Sequence, residues 1–262
     1  MPESLPTDAV LGRALALVRD LRARCPWDRV QTPQTLRPYL VEEALELDQA
    51  IRRDDAAAMR DELGDLLLSV AFQIVIAEEQ RRFDAEGVVD GLEQKMQRRH
   101  PHLFGIGDAP TSWEHGKREA GSGKRGALEG LPPTLPALLT AYRLQERAAG
   151  VGFDWPDATG PLAKVREEIG ELERETGNGK RETLEDEIGD LLFAVVNLAR
   201  KLGIEPSQAL ERANEKFRRR FAALEALAGE RGVEIGRAGL EALDRLWDEV
   251  KAGEGGRGKG EV

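Results

Sequence analysis

"LEDEIGDLLFAVVNL", residues 184–198, decides the fold class. Leu184, Ile188, Leu191, Leu192, Val195 and Leu198 recur at steps of three and four, which places them on one face of a helix. Far upstream, Leu63, Leu66, Leu67, Val70 and Ile74 repeat the pattern within 62–75. Runs of alternating polar and apolar residues, as a half-buried strand requires, are absent, and aromatic residues make up only 5% of the chain. The spacing predicts an all-α protein of packed helical bundles.

The two stretches belong to a tandem repeat. Residues 41–75, "VEEALELDQAIRRDDAAAMRDELGDLLLSVAFQIV", align without a gap on 166–200, "REEIGELERETGNGKRETLEDEIGDLLFAVVNLAR", with eleven identities at a constant offset of 125. Seven of the eleven are acidic or glycine: Glu42/Glu167, Glu43/Glu168, Glu46/Glu171, Asp61/Asp186, Glu62/Glu187, Gly64/Gly189 and Asp65/Asp190. A repeat kept only for packing retains its apolar stripe and lets its surface acids drift. Here the acids persist, which argues against a merely solvated face.

Small shifts extend the repeat in both directions. "CPWD" (25–28) faces "VGFD" (151–154), "KMQRR" (95–99) faces "KFRRR" (216–220), and "WEHGK" (113–117) faces "WDEVK" (247–251). The expected organisation is an N-terminal helical domain over 1–120 and a Gly- and Pro-rich linker over 121–135. A C-terminal helical domain follows over 136–252, and 253–262, lacking an apolar anchor, should be a disordered tail. Each repeat should hold about four helices.

A net charge of −10 argues against general nucleic-acid binding, though a bound divalent cation reverses the local sign for a phosphate ligand. The longest apolar runs, "LLLSVAF" (66–72) and "LLFAVV" (191–196), are too short to span a bilayer. "MPESLPTDAV" shows no secretory pattern, so the expected location is the cytoplasm. Cys25 is the single cysteine, which excludes an internal disulfide and any cysteine-rich metal site.

The acids have metal-binding spacing. Glu168 lies three residues before Glu171, Glu167 four before it, and Glu187 three before Asp190, so each set shares a helix face. Antiparallel helices joined through "TGNGKRET" (176–183) bring both sets to one point, where unneutralised carboxylates repel one another. A hard divalent cation relieves the repulsion, and an all-carboxylate site suits Mg²⁺, with Mn²⁺ as a substitute. The histidines, His100, His102 and His115, lie outside the acidic helices, and "RHPH" reads as a helix-ending turn. Glu43, Glu46, Glu62 and Asp65 form a second, weaker candidate site. Gly64 and Gly189 sit inside helices, where glycine costs about 1 kcal/mol against alanine; their recurrence suggests close approach of a backbone or ligand. Lys216, Arg219 and Arg220 share one face, as do Lys95, Arg98 and Arg99, and could clamp phosphates. Trp113 and Trp247 read equally as core or as base-stacking residues.

These residues resemble the MazG family of nucleoside triphosphate pyrophosphohydrolases across almost the whole chain. The signature is seen as "EEALE…ELGD" and "EEIGE…EIGD", and "LPALLTAYRLQERAAGVGFDW" and "NEKFRRRF" resemble the C-terminal half of two-domain members. The resemblance implies an all-α homodimer that uses Mg²⁺ to cleave nucleoside triphosphates, such as ATP, between the α- and β-phosphates. Glu168, Glu171, Glu187 and Asp190 would hold metal, with Glu167 orienting or deprotonating the attacking water. Lys164, Lys216 and Arg220 would contact phosphates, and Trp247 the nucleotide. His115, Gly116 and Val41 depart from Glu249, Val250 and Arg166 of the second copy, which sets nucleotide binding by the first copy apart. Two other readings stand: a non-catalytic helical dimerisation module with structural Mg²⁺, and a base-specific diphosphatase of the deoxyuridine type.

Overall fold

The structure, a computed structural model, describes residues 12–105, 107, 126–177 and 179–257. Among them there are helices and turns but no strand. The chain divides into two compact units, Met1–Ala109 and Pro110–Val262, a division ahead of the 121–135 segment.

The first unit comprises α1 (Gly12–Arg24), the short α2 (Pro26–Arg29), α3 (Pro33–Arg52), α4 (Ala56–Glu79) and α5 (Ala85–Arg99). Local chemistry sets the helix ends. Thr32 and Thr35 exchange side-chain and backbone hydrogen bonds in a capping box at the start of α3, with Pro33 at its first position. Asp55 accepts from Ala57 N and Ala58 N, both at 3.1 Å, to open α4. The turn between them passes through Asp54 at φ +53°, a left-handed conformation that aspartate tolerates. His100 and a single 3₁₀ turn, Pro101–Leu103, end α5, in keeping with the helix-ending reading of "RHPH".

Val18 of α1, Leu36 of α3 and Ala71, Phe72, Val75 and Ile76 of α4 form the first core. Fully burying a side chain of this size contributes about 1.5–3 kcal/mol. Buried Arg22 ties the chain beside this core: it donates to both carboxylate oxygens of Glu79, at 2.8 and 2.6 Å, and to Asp28 O at 2.7 Å. The "CPWD" turn is thereby fastened to the end of α4.

The second unit comprises α6 (Ala137–Ala149), α7 (Thr159–Thr176), α8 (Arg181–Lys201), α9 (Pro206–Glu230) and α10 (Leu240–Arg257). The short link between α7 and α8 makes them antiparallel neighbours, as α3 and α4 are in the first unit. Helix α6 packs on α8, and α9 pairs with α10 around Leu224, Ala228 and Leu246. Asp154 of the "VGFD" turn accepts from Arg200 and Lys201 at the end of α8, both at 3.2 Å. These bonds outweigh the desolvation that raises the Asp154 carboxyl, and hold it below its usual range.

One expectation is corrected at the C-terminus. Helix α10 continues through Arg257 into the stretch read as a disordered tail. The helical backbone continues there although Gly253, Gly255 and Gly256 each disfavour it by about 1 kcal/mol against alanine. Residues 258–262 lie outside the described residues, as do Trp113 and the rest of "WEHGK" and linker residues 121–125. No helix among the described residues is long and apolar enough to cross a membrane.

Candidate active site

Helix pairing brings the acids of the second repeat together. Carboxylate oxygens of Glu168 and Glu171 on α7 and Glu187 on α8 all lie within 4.8 Å of one another. Glu168 is 3% exposed and the other two are half-buried. Desolvation, followed by the charges of Glu171, Glu168 and Asp190, raises the Glu187 carboxyl above its usual value. Lys164, one turn before Glu168, reaches Glu168 at 2.6 Å and Glu167 at 3.0 Å. Those two carboxylates raise the Lys164 ammonium well above its ordinary value, so it stays charged.

Three hard oxygen donors at this spacing fit Mg²⁺ or Mn²⁺, and neither histidine nor cysteine joins the cluster among the described residues. Asp190 borders the group, adding to the field on Glu187 without being one of the three convergent carboxylates.

The first repeat assembles a different trio. Glu43, Glu62 and Asp65 converge within 4.8 Å, and Glu46, the counterpart of Glu171, stands beside them. Desolvation and then the neighbouring acids raise Glu43 and Glu62 as well: Asp65 acts first on Glu43, and Glu46 first on Glu62. The two clusters therefore share their acids in sequence but not their third member in space.

Beside the second cluster lies a cavity of about 460 Å³. Lys164, Glu168 and Asp190 line one part of it; Phe153, Trp155, Phe193 and Leu144 supply apolar wall, and Gln145, Asn197 and Arg200 polar wall. Phe153 lines the cavity while 80% exposed, so its ring borders both the cavity and solvent. Trp155 is set by Gly160 in the first turn of α7: a Cβ there would stand 2.0 Å from the indole Cδ1, so only glycine lets the ring lie against the helix. Cluster and cavity are continuous, since Glu168 belongs to both and its ion-pair partner Lys164 lines the cavity.

A profile of the MazG nucleotide pyrophosphohydrolase domain matches residues 31–104 and 159–223, once over each acidic helix pair. The chain is 42% identical to a nucleoside triphosphate pyrophosphohydrolase of Escherichia coli (strain K12), over 90% of this chain and 94% of that protein. It is 43% identical to the nucleoside triphosphate pyrophosphohydrolase/pyrophosphatase MazG of Thermotoga maritima, over 88% of this chain and 90% of that one. A Mycobacterium tuberculosis nucleoside triphosphate pyrophosphohydrolase matches at 34% over 53% of this chain and 45% of its own length. This chain belongs to the MazG family.

Within this MazG chain, the remaining expected site residues do not line the cavity. Lys216, Arg219 and Arg220 sit on α9, and none lines the cavity. Trp247 packs on Phe217, with ring centroids 5.5 Å apart, against the α9–α10 core. Glu167 is exposed at the cluster's rim, held by Lys164. The close approach expected at Gly64 and Gly189 is not made by another element among the described residues: apart from the helix's own backbone, nothing lies within 4 Å of where either Cβ would stand. Both glycines face open space because their helices pack through other faces.

Sequence reasoning missed Gln145, Trp155, Phe193, Asn197 and Arg200. Part of the signal lay in the repeat itself, at positions where the copies differ. The offset of 125 sets Asn197 against Phe72, Arg200 against Val75 and Lys164 against Tyr39. Phe72 and Val75 are buried in the first core, so the first MazG copy fills with hydrocarbon the positions that line the cavity in the second.

Proposed function

We propose that the second unit hydrolyses nucleoside triphosphates between the α- and β-phosphates, releasing a nucleoside monophosphate and pyrophosphate. The observation that carries this reading is the continuity of the carboxylate cluster with the aromatic-walled cavity through Lys164 and Glu168. One end suits a metal-bound polyphosphate and the other a nucleoside. The names of the E. coli and T. maritima relatives support the same reaction.

Glu168, Glu171 and Glu187 would hold Mg²⁺, or Mn²⁺ in its place, with Asp190 as a further ligand at the rim. Bound there, the cation supplies positive charge against the phosphates and lowers the proton affinity of water. Lys164, kept protonated by Glu168 and Glu167, sits where the cavity meets the cluster and offsets charge on the α-phosphate. Glu167, exposed and oriented by Lys164, accepts the proton of the attacking water. Lys216, Arg219 and Arg220 hold the outer phosphates.

The first unit keeps a carboxylate trio but has Tyr39 in place of Lys164 and Phe72 in place of Asn197, so we assign it no nucleotide turnover. A homodimer completes the proposal. Exposed Ile188, Leu192 and Val195 form a stripe on α8, and exposed Leu63 and Val70 form its counterpart on α4, apolar surface that a second copy would cover. Sedimentation equilibrium should give twice the monomer mass.

Purified protein incubated with Mg²⁺ and ATP should yield AMP and pyrophosphate in equal amounts. ADP with phosphate, or no turnover, would refute the assignment.

A further inference from the structure

The polar wall of the cavity has a hydrogen-bonding pattern that the reaction chemistry does not use. Gln145 on α6 is 6% exposed. Its Nε2 donates to the main-chain oxygen of Phe193 at 2.8 Å. A carbonyl can only accept, so this bond fixes which way the amide faces. The other end, Oε1, is buried and has no partner among the described residues. Folded proteins leave few such acceptors, and those that remain call for an explanation.

Asn197 on α8 lies in the same wall and is 7% exposed. Its Oδ1 accepts from Arg200 Nε at 3.0 Å and Arg200 Nη2 at 2.8 Å. A guanidinium can only donate, so this amide is also oriented, and Nδ2 is its remaining donor. Arg200 is itself anchored by Asp154, so the arrangement is braced from behind. Both residues line the cavity, so its wall holds one oriented acceptor and one oriented donor, and Phe153 and Trp155 of the same lining offer rings for stacking.

We propose that Gln145 and Asn197 read the edge of the nucleobase. Gln145 Oε1 accepts from an N–H of the base, and Asn197 Nδ2 donates to a neighbouring ring nitrogen or carbonyl. This rests on the triphosphate reading given above: Lys164 fixes the phosphate end, and the amide pair fixes the other. The pair belongs to the second unit alone, because the repeat sets Phe72 against Asn197.

A buried acceptor built for a substrate N–H discriminates against an analogue that lacks it, because the acceptor is then desolvated and unpaired. ATP and purine riboside 5′-triphosphate differ only in the 6-amino group. Both should give a monophosphate and pyrophosphate, with kcat/KM about tenfold or more higher for ATP. In Gln145→Met the ratio should fall to near one. The wild-type comparison stands without the variant, should the lost bond to Phe193 prevent folding. Asn197→Asp keeps an oxygen for Arg200 but turns the remaining donor into an acceptor. It should lower kcat/KM for both substrates, which share the ring nitrogen, and leave their ratio intact. Equal wild-type kcat/KM for the two substrates overturns this assignment while leaving the reaction standing. A ratio that survives in folded Gln145→Met also overturns it. If neither substrate yields a monophosphate and pyrophosphate, the reaction and this assignment fall together.

Discussion

Glu168→Gln tests the metal site at its most buried point. The substitution keeps the shape of the side chain, removes one of three convergent carboxylates, and breaks the 2.6 Å ion pair with Lys164. Without divalent ions two effects oppose each other. Glu171 and Glu187 lose a like-charged neighbour, while Lys164 loses its nearer partner but keeps Glu167 at 3.0 Å. The metal-free melting temperature should therefore stay close to wild type. With Mg²⁺ present the effects no longer cancel. At 100 times its dissociation constant a ligand stabilises the native state by about 2.7 kcal/mol. Losing even a group that only supports a metal ligand costs about 10- to 100-fold in affinity, so loss of a ligand itself should cost at least as much. At the same Mg²⁺ concentration the variant then gains about 0.4–1.4 kcal/mol at most. A unit of this size shifts by about 2–4 °C per kcal/mol. Scanning calorimetry with chelator and with excess Mg²⁺ should therefore show a Mg²⁺-induced rise smaller by roughly 3–9 °C in the variant. The first unit's trio is untouched, so its response is common to both proteins and drops out. An equal Mg²⁺-induced rise in the two proteins would refute the site.

Glu171→Ala should lower triphosphate hydrolysis by roughly 100-fold or more at saturating Mg²⁺, whereas Glu46→Ala should leave most of it intact; reversed losses would move the working site to the first unit. Gly160→Ala puts a methyl group 2.0 Å from Trp155 Cδ1 and must displace the ring. It should raise KM for the nucleotide more than it lowers kcat, and an unchanged KM would remove Trp155 from the binding wall. The hydrogen bond from Arg22 holds the Glu79 carboxyl below its usual value, against the opposing pull of desolvation. A depressed carboxylate contributes stability above its unfolded pKa and loses it as pH falls through the folded one. Glu79→Gln should thus cost about 1 kcal/mol near neutral pH, since the pair is half-exposed. That difference should shrink in urea melts run below the usual carboxylate range, and a deficit that does not change with pH would assign it to packing.

The helices and the acid clusters were legible because both depend on short-range spacing. Steps of three and four place Leu191, Val195 and Leu198 on one face, and Glu168 and Glu171 on another, whatever the tertiary context. The cavity was not legible, because α6, α7 and α8 each contribute part of its wall and only packing brings Gln145 opposite Phe193. Asn197 breaks the apolar run Val195, Val196, Leu198, a signal that sequence reasoning passed over. Its meaning emerges only when Phe72 is seen buried at the matching position. Gly64 and Gly189 show the same limit: their recurrence marks the positions, and within the described chain no neighbouring element approaches either one.

Phe72 and Asn197 together amount to an experiment the chain has performed on itself. Of one helical hairpin used twice, one copy buries Phe72 in its core where its twin has the oriented amide of Asn197. The twin kept an opening and the polar groups that make the opening selective. Stability and recognition compete for the same few side chains, and a single-copy protein must settle that contest position by position. A duplicated one can resolve it by division of labour. Mutations that loosen the second copy for new substrates can then leave the first copy's core untouched.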